Sequence, residues 1–186
     1  MTKPKIIIIP GNGNCHIDTE NWYAWVRDEL TSRGYEVVAH DMPDPEAAHA
    51  DIWLPYIQDV LKADEHSLVI GHSSGAVATL RYLETHKLAG AIIIGACYTD
   101  LGEEMERESG YYVAPWQWEV IKGNAGWIAQ FLSLDDPFIP LAESHYIHEQ
   151  LGTELHELDG RGHFMTDQNA ANISFPEILE VIEKHS

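Results

Sequence analysis

Gly71-His72-Ser73-Ser74-Gly75 puts a serine at the centre of a G-x-S-x-G run, directly after an apolar stretch at 67–70 and directly before a helix-like pattern at 75–85. That context reads as strand, tight turn, helix. A serine held on such a turn has a strained backbone, and a Cβ on either flanking glycine would collide with the neighbouring strand or helix. The turn lifts the Ser73 hydroxyl to the carboxyl end of a sheet and points the Ser74 N–H at the place where an oxyanion would form. The chemistry this suits is nucleophilic attack on a carbonyl.

A serine hydroxyl attacks only when a base removes its proton, and the base needs an acid to fix its tautomer and stabilise the imidazolium. In this architecture the chain order is serine, acid, histidine. Downstream of Ser73 stand His86, His145, His148, His156, His163 and His185. His163 alone falls in a loop directly after a predicted strand, in Asp159-Gly-Arg-Gly-His163-Phe164, where the glycines let the loop fold back over the sheet edge. The others fall on helices or inside a strand. His145 and His148 have metal-like spacing but no third ligand arranged near them, so no metal is expected. For the acid, Asp135 and Asp136 both follow the predicted strand at 128–132, and Pro137 favours Asp136 because the residue before a proline is held extended. Asp135 is the alternative, with Asp159 in reserve.

A second oxyanion donor is expected from the loop after the first strand, Pro10-Gly11-Asn12-Gly13-Asn14, with the Asn12 N–H ahead of that of Gly13. The same glycines could open a dinucleotide-binding G-x-G-x-x-G. His16 stands where the third glycine would be, and a nucleotide fold would leave the Ser73 turn unexplained. The expected set is Ser73, Asp136 and His163, with the backbone N–H groups of Ser74 and Asn12 and no cofactor.

The elements that must hold these residues alternate in type. Strands are predicted at 5–9, 35–40, 67–70, 91–94, 128–132 and 154–158, and helices at 21–33, 47–61, 75–85, 141–150 and 173–184. The runs Ile6–Ile9 and Ala91–Ile94 are apolar on both faces, as parallel strands covered by helices on both sides must be. An α/β three-layer sandwich follows, with a mostly parallel sheet of about six strands. One stretch, 98–124, is longer than a simple crossover and carries Tyr111, Tyr112, Trp116 and Trp118 beside Glu103, Glu104, Glu106 and Glu108. It reads either as a small cap on one compact domain, 1–186, or as an acidic surface excursion. Pocket walls are expected from among Trp22, Trp53, Trp116, Trp118 and Phe138, with Trp53, Trp116 and Phe138 preferred.

Composition narrows the partners. With 11 Lys+Arg against 30 Asp+Glu the formal charge is −19, which disfavours nucleic acid and anionic membrane surfaces. Neither of the longest apolar stretches, 6–9 and 89–97, approaches the roughly 18 residues of a membrane span. The first apolar run ends at Pro10-Gly11, too soon for a signal peptide, and two cysteines, Cys15 and Cys97, fit a reducing compartment, so a cytoplasmic location is expected.

With these parts in place the sequence resembles the retinoblastoma-binding protein nine family of small serine hydrolases on the α/β-hydrolase fold. The resemblance covers nearly the whole chain, through Pro10-Gly-Asn-Gly13, Met42-Pro-Asp-Pro45, Trp53-Leu-Pro55, Gly71-His-Ser-Ser-Gly75, Pro115-Trp-Gln-Trp118, Asp135-Asp-Pro-Phe138 and Gly162-His-Phe164. It implies a nucleophile at Ser73, an acid at Asp136 and a base at His163. It also implies action on small esters or amides, including amino-acid-derived ones. The family's L-x-C-x-E segment, linked to pocket-protein binding, is here Leu61-Lys62-Ala63-Asp64-Glu65, and without the cysteine that partner is not carried over. The competing reading is a protein-interaction module on a hydrolase fold with little or no turnover.

Overall fold

A computed structural model describes residues 3–13 and 15–185; Asn14, part of the glycine-rich loop discussed above, lies outside the described residues. The strands are β1 (Lys5–Ile9), β2 (Val37–Ala39), β3 (Ser67–His72), β4 (Gly90–Ile94), β5 (Ile128–Ser133) and β6 (Glu154–Leu158), and all pair in parallel in the order β2-β1-β3-β4-β5-β6. The helices are α1 (Tyr23–Ser32), α2 (Ala50–Asp59), α3 (Ser74–Leu83), α4 (Glu104–Glu108), α5 (Trp118–Asn124), α6 (Leu141–Leu151) and α7 (Pro176–Lys184). Strand order reverses between β1 and β3. Their carboxyl ends therefore open a crevice, and the loop 10–13 and the Ser73 turn both lie there.

Alternation along the strands sorts the core into two layers. Ile7, Ile9, Val69, Ala91 and Ile93 face α2, α3, α5 and α6, which contribute Trp53, Ile57, Leu80, Ile121 and Ile147. Ile6, Ile8, Leu68, Ile70, Ile92 and Ile94 face α1 and α7, which contribute Tyr23, Val26, Leu30, Ile178 and Ile182. The central strands β3, β4 and β5 are buried throughout, which is why β4 reads as an unbroken apolar run, while the buried Gln130 of β5 gives its amide to the Ser144 carbonyl.

The over-long connection holds α4 and α5 and is fastened at two points. Arg81 of α3, itself buried, donates from Nε to the Tyr111 carbonyl and from Nη2 to that of Ala114, both at 2.7 Å, and lies 3.6 Å over the Trp116 ring. Glu143 of α6 accepts the Tyr98 and Thr99 amides at 2.9 and 3.0 Å. At the segment matched to L-x-C-x-E, Leu61 and Ala63 are buried in a turn where Lys62 takes φ +56° and the Ala63 amide donates to the Ile57 carbonyl. No helix among the described residues is long and apolar enough to cross a membrane.

Candidate active site

The Ser73 turn is built by exclusion of side chains. A Cβ on Gly71 would lie 2.4 Å from the Gly75 carbonyl oxygen, and one on Gly75 would lie 2.4 and 2.5 Å from the carbonyl oxygens of Ile9 and Pro10. The strand and helix thus approach closer than any other residue permits, and Ser73 absorbs the bend at φ 53°, ψ −120°. Its amide is stitched to the Ile94 carbonyl at 2.8 Å, and α3 begins at Ser74. The first amides of a helix have no intrahelical partner and carry its positive end, so this turn is suited to developing negative charge.

His163 and Asp136 meet at this same sheet end. His163 Nδ1 lies 2.8 Å from Asp136 Oδ2, with the side chains 6% and 4% exposed. The other carboxylate oxygen of Asp136 accepts the amides of Phe138 and Ile139 at 2.9 and 3.0 Å, which fixes its direction. Asp135 points elsewhere: its Oδ1 accepts from the Ser133 hydroxyl at 2.6 Å and from the Gly162 amide at 3.0 Å, and these donors lower its pKa. Its place is to hold the base loop rather than the base. Among the described residues, the carboxylate bonded to His163 Nδ1 is that of Asp136 and not that of Asp159.

In the loop after β1, the Gly11 N–H donates to the Tyr23 hydroxyl at 3.2 Å and the Gly13 N–H to the Glu46 carbonyl at 3.3 Å. Both flanking amides are engaged, which favours Asn12 over Gly13 as an available donor. A Cβ on Gly11 would sit 3.2 Å from that of Ser73, so this backbone runs directly beside the serine.

Ser73, His163, Gly11 and Asn12 all line one cavity of about 870 Å3. Its apolar wall includes Leu101, Phe138 and Ile139; Phe138 is 56% exposed and its ring meets that of His163 edge-on at 5.3 Å. Four carboxylates line it as well, Glu20, Glu103, Glu106 and Glu143, and no Lys or Arg does among the described residues. Glu106 is partly buried, which pushes its pKa up despite the donated hydrogen bond from the Tyr112 hydroxyl at 3.1 Å. Cys15 also touches the cavity, but burial pushes its thiol up to about 11 and that of Cys97 up to about 12, so neither supplies a thiolate near neutrality.

Two of the expected pocket walls are elsewhere. Trp53 is wholly buried in the core layer under α2, with its indole N–H given to the Pro43 carbonyl at 2.7 Å. Trp116 faces a separate depression of about 480 Å3, sandwiched between Arg81 and a stacked Trp118, with its N–H on the Tyr98 carbonyl. Trp22 likewise is core, edge-on to Phe175. Of the aromatics singled out from sequence, Phe138 lines the cavity. Sequence reasoning missed Thr99, Glu106, Glu143 and Met165, whose places depend on how the connection folds back. His145 and His148 pair with Glu157 and Thr153, and no group of three ligating side chains among the described residues could hold a metal.

A parallel sheet of this order, with a strained serine turn at its switch point, defines an α/β hydrolase. The chain belongs to the serine hydrolase family, matching it over residues 6–184. It is similar to serine hydrolase RBBP9 of Rattus norvegicus, 44% identical over 185 residues that cover 98% of this chain and 96% of that protein. It is also similar to YdeN of Bacillus subtilis, 26% identical over 193 aligned residues covering 100% and 97%. The crystal structure of the ydeN gene product superposes with a TM-score of 0.87 at 24% identity, over 99% of this chain and 98% of that one.

Proposed function

We propose that this hydrolase cleaves small esters or amides through an acyl-enzyme formed on Ser73. His163 takes the Ser73 proton as Oγ bonds the carbonyl carbon, and the resulting oxyanion is held by the N–H groups of Ser74 and Asn12. The proton then passes from His163 to the departing alcohol or amine as the carbonyl re-forms. A water repeats the sequence, with His163 again as base, releasing the acid and restoring Ser73. Asp136 keeps Nδ1 protonated and steadies the imidazolium. The observation that carries this reading is the 2.8 Å contact between shielded Asp136 and His163, at a cavity Ser73 shares.

The cavity supports a substrate class. Apolar groups at Leu101, Phe138 and Ile139 suit a compact acyl or alcohol portion, and four carboxylates, with no Lys or Arg beside them among the described residues, favour neutral or amine-bearing substrates over carboxylate-bearing ones. Residues 98–124 act as a small cap over this cavity within one compact domain, a reading supported by Thr99, Leu101, Glu103 and Glu106, which all reach it.

A fluorophosphonate probe tests the reading directly. Wild type should label, and Ser73→Ala and His163→Ala should not, with circular dichroism unchanged in all three. A folded wild type that stays unlabelled would sink the proposal and bring forward an interaction module on a hydrolase fold.

A further inference from the structure

His72, the residue before the serine, is 1% exposed and engaged at both nitrogens. Nε2 lies 2.9 Å from the His163 carbonyl oxygen and Nδ1 lies 2.6 Å from the Tyr23 hydroxyl. The proton positions follow from valence. A carbonyl only accepts, so Nε2 carries the hydrogen; burial keeps the ring neutral, with a pKa lowered to about 3, so Nδ1 is the acceptor and Tyr23 donates to it. The Tyr23 oxygen in turn accepts the Gly11 N–H at 3.2 Å. A buried chain thus runs from the Gly11 amide through Tyr23 and His72 to the backbone of His163.

Both ends of that chain need a tether. The base loop holds three left-handed residues, Gly160 at φ 71°, Gly162 at φ 52° and Phe164 at φ 59°. Such a loop has no helix or strand ladder to hold it. The Ser133 hydroxyl and Asp135 hold the Arg161 and Gly162 amides, and Gln168 holds that of His163, but the His163 carbonyl is held by His72. At the other end Gly11 immediately precedes Asn12. Asn21 reinforces the link, with Nδ2 3.4 Å from the Tyr23 oxygen and Oδ1 accepting the Thr166 amide at 3.0 Å just beyond the base.

We propose that Tyr23 and His72 are positioning residues that set the base loop and the oxyanion loop in register on either side of Ser73. Neither is required to touch substrate in this role, and the proposal rests on the acyl-enzyme reading above. Proton abstraction at His163 and charge development near Asn12 occur in one transition state, so a slip between the two loops weakens that state more than it weakens substrate binding. The effect belongs in kcat, with KM nearly unmoved.

The test is steady-state hydrolysis of p-nitrophenyl acetate by the full chain carrying Tyr23→Phe, His72→Leu or His72→Gln, beside Ser73→Ala, with folding checked by circular dichroism. Tyr23→Phe and His72→Leu should lower kcat about 10- to 100-fold with KM within about twofold. His72→Gln, which can accept with its carbonyl and donate with its amide, should recover most of the loss. A folded Tyr23→Phe with wild-type kcat overturns the register role, as does a loss that appears in KM instead. If His72→Leu does not fold, Tyr23→Phe and the glutamine rescue decide the matter. Ser73→Ala separates the two readings: activity retained there fails the acyl-enzyme proposal itself, whereas an inactive Ser73→Ala beside an unaffected Tyr23→Phe fails the register role alone.

Discussion

The imidazole of His163 lies against Gly95: a Cβ there would come within 2.9 Å of Cε1 and 3.2 Å of Nδ1. Gly95 also holds φ +59°, at the end of β4 beside the strand that delivers Ser73. Gly95→Ala therefore carries two penalties. The left-handed backbone costs about 1–2 kcal/mol of stability, and the methyl pushes the ring away from its place between Asp136 and the cavity. Turnover should fall by roughly 100-fold or more, since misplacement of about 1 Å has that effect on positioned groups. Thermal melting and ester hydrolysis measured together check this; an alanine variant with normal turnover would show that the ring tolerates displacement.

Asp135 and Asp136 are neighbours with different partners, so their amide variants should separate. Asp136→Asn lets Nδ1 lose its preferred proton and is expected to lower kcat by about 10³- to 10⁴-fold with little change in folding. Asp135→Asn weakens the anchorage of the Gly162 amide and should act chiefly on stability, with kcat within about tenfold. Equal losses of kcat in both would contradict this division.

Much of this arrangement is legible in the sequence. The strands at 5–9 and 154–158 have their expected bounds: a β-branched isoleucine run is closed by Pro10-Gly11, and the segment bearing Leu155 and Leu158 is closed by Asp159-Gly160. In the sequence Pro137 favours Asp136 over Asp135, and in the structure Asp136 Oδ1 accepts the Phe138 and Ile139 amides while Oδ2 faces His163. The helix expected over 173–184 begins later, at Pro176 of α7, and a separate 3-10 turn at Ala170–Ile173 precedes it. That signal was present, since proline is favoured at that position. The pocket aromatics were not readable. Trp53 and Phe138 differ in what folds over them, and neither composition nor spacing carries that information.

The pH dependence of folding follows from His72. Unfolded, an imidazole takes up its proton below about pH 6.5; folded, this one stays neutral until about pH 3 because burial disfavours its charged form. The unfolded state therefore binds more protons in that window. Stability falls as pH drops from about 6.5 towards 3, by up to about 1.4 kcal/mol per unit from this group. Denaturant unfolding at pH 7, 6 and 5 should show wild type losing stability faster than His72→Gln. Parallel curves would mean that His72 protonates as readily inside as outside.

Glu106 gives the cavity a charge that can be removed without touching the serine turn. Glu106→Gln should lower kcat/KM for an aminoacyl ester by about tenfold relative to its neutral acyl counterpart, through loss of attraction in a partly buried site. The ratio of the two substrates is the measurement. An unchanged ratio assigns amine preference, if any, to Glu20, Glu103 or Glu143.

The attachment of residues 98–124 has a different kind of consequence. Arg81 grips the carbonyls of Tyr111 and Ala114, and Glu143 grips the amides of Tyr98 and Thr99. All four of those contacts are made to main chain, and any residue but proline at Tyr98 or Thr99 could keep them. Two side chains add to the clasp, the Trp116 ring under Arg81 and the Thr99 hydroxyl given to Glu143, whereas Leu101, Glu103 and Glu106 reach the cavity instead. Exchanges at Leu101 and Glu103 can therefore reshape the cavity while the four backbone contacts of Arg81 and Glu143 stay in place.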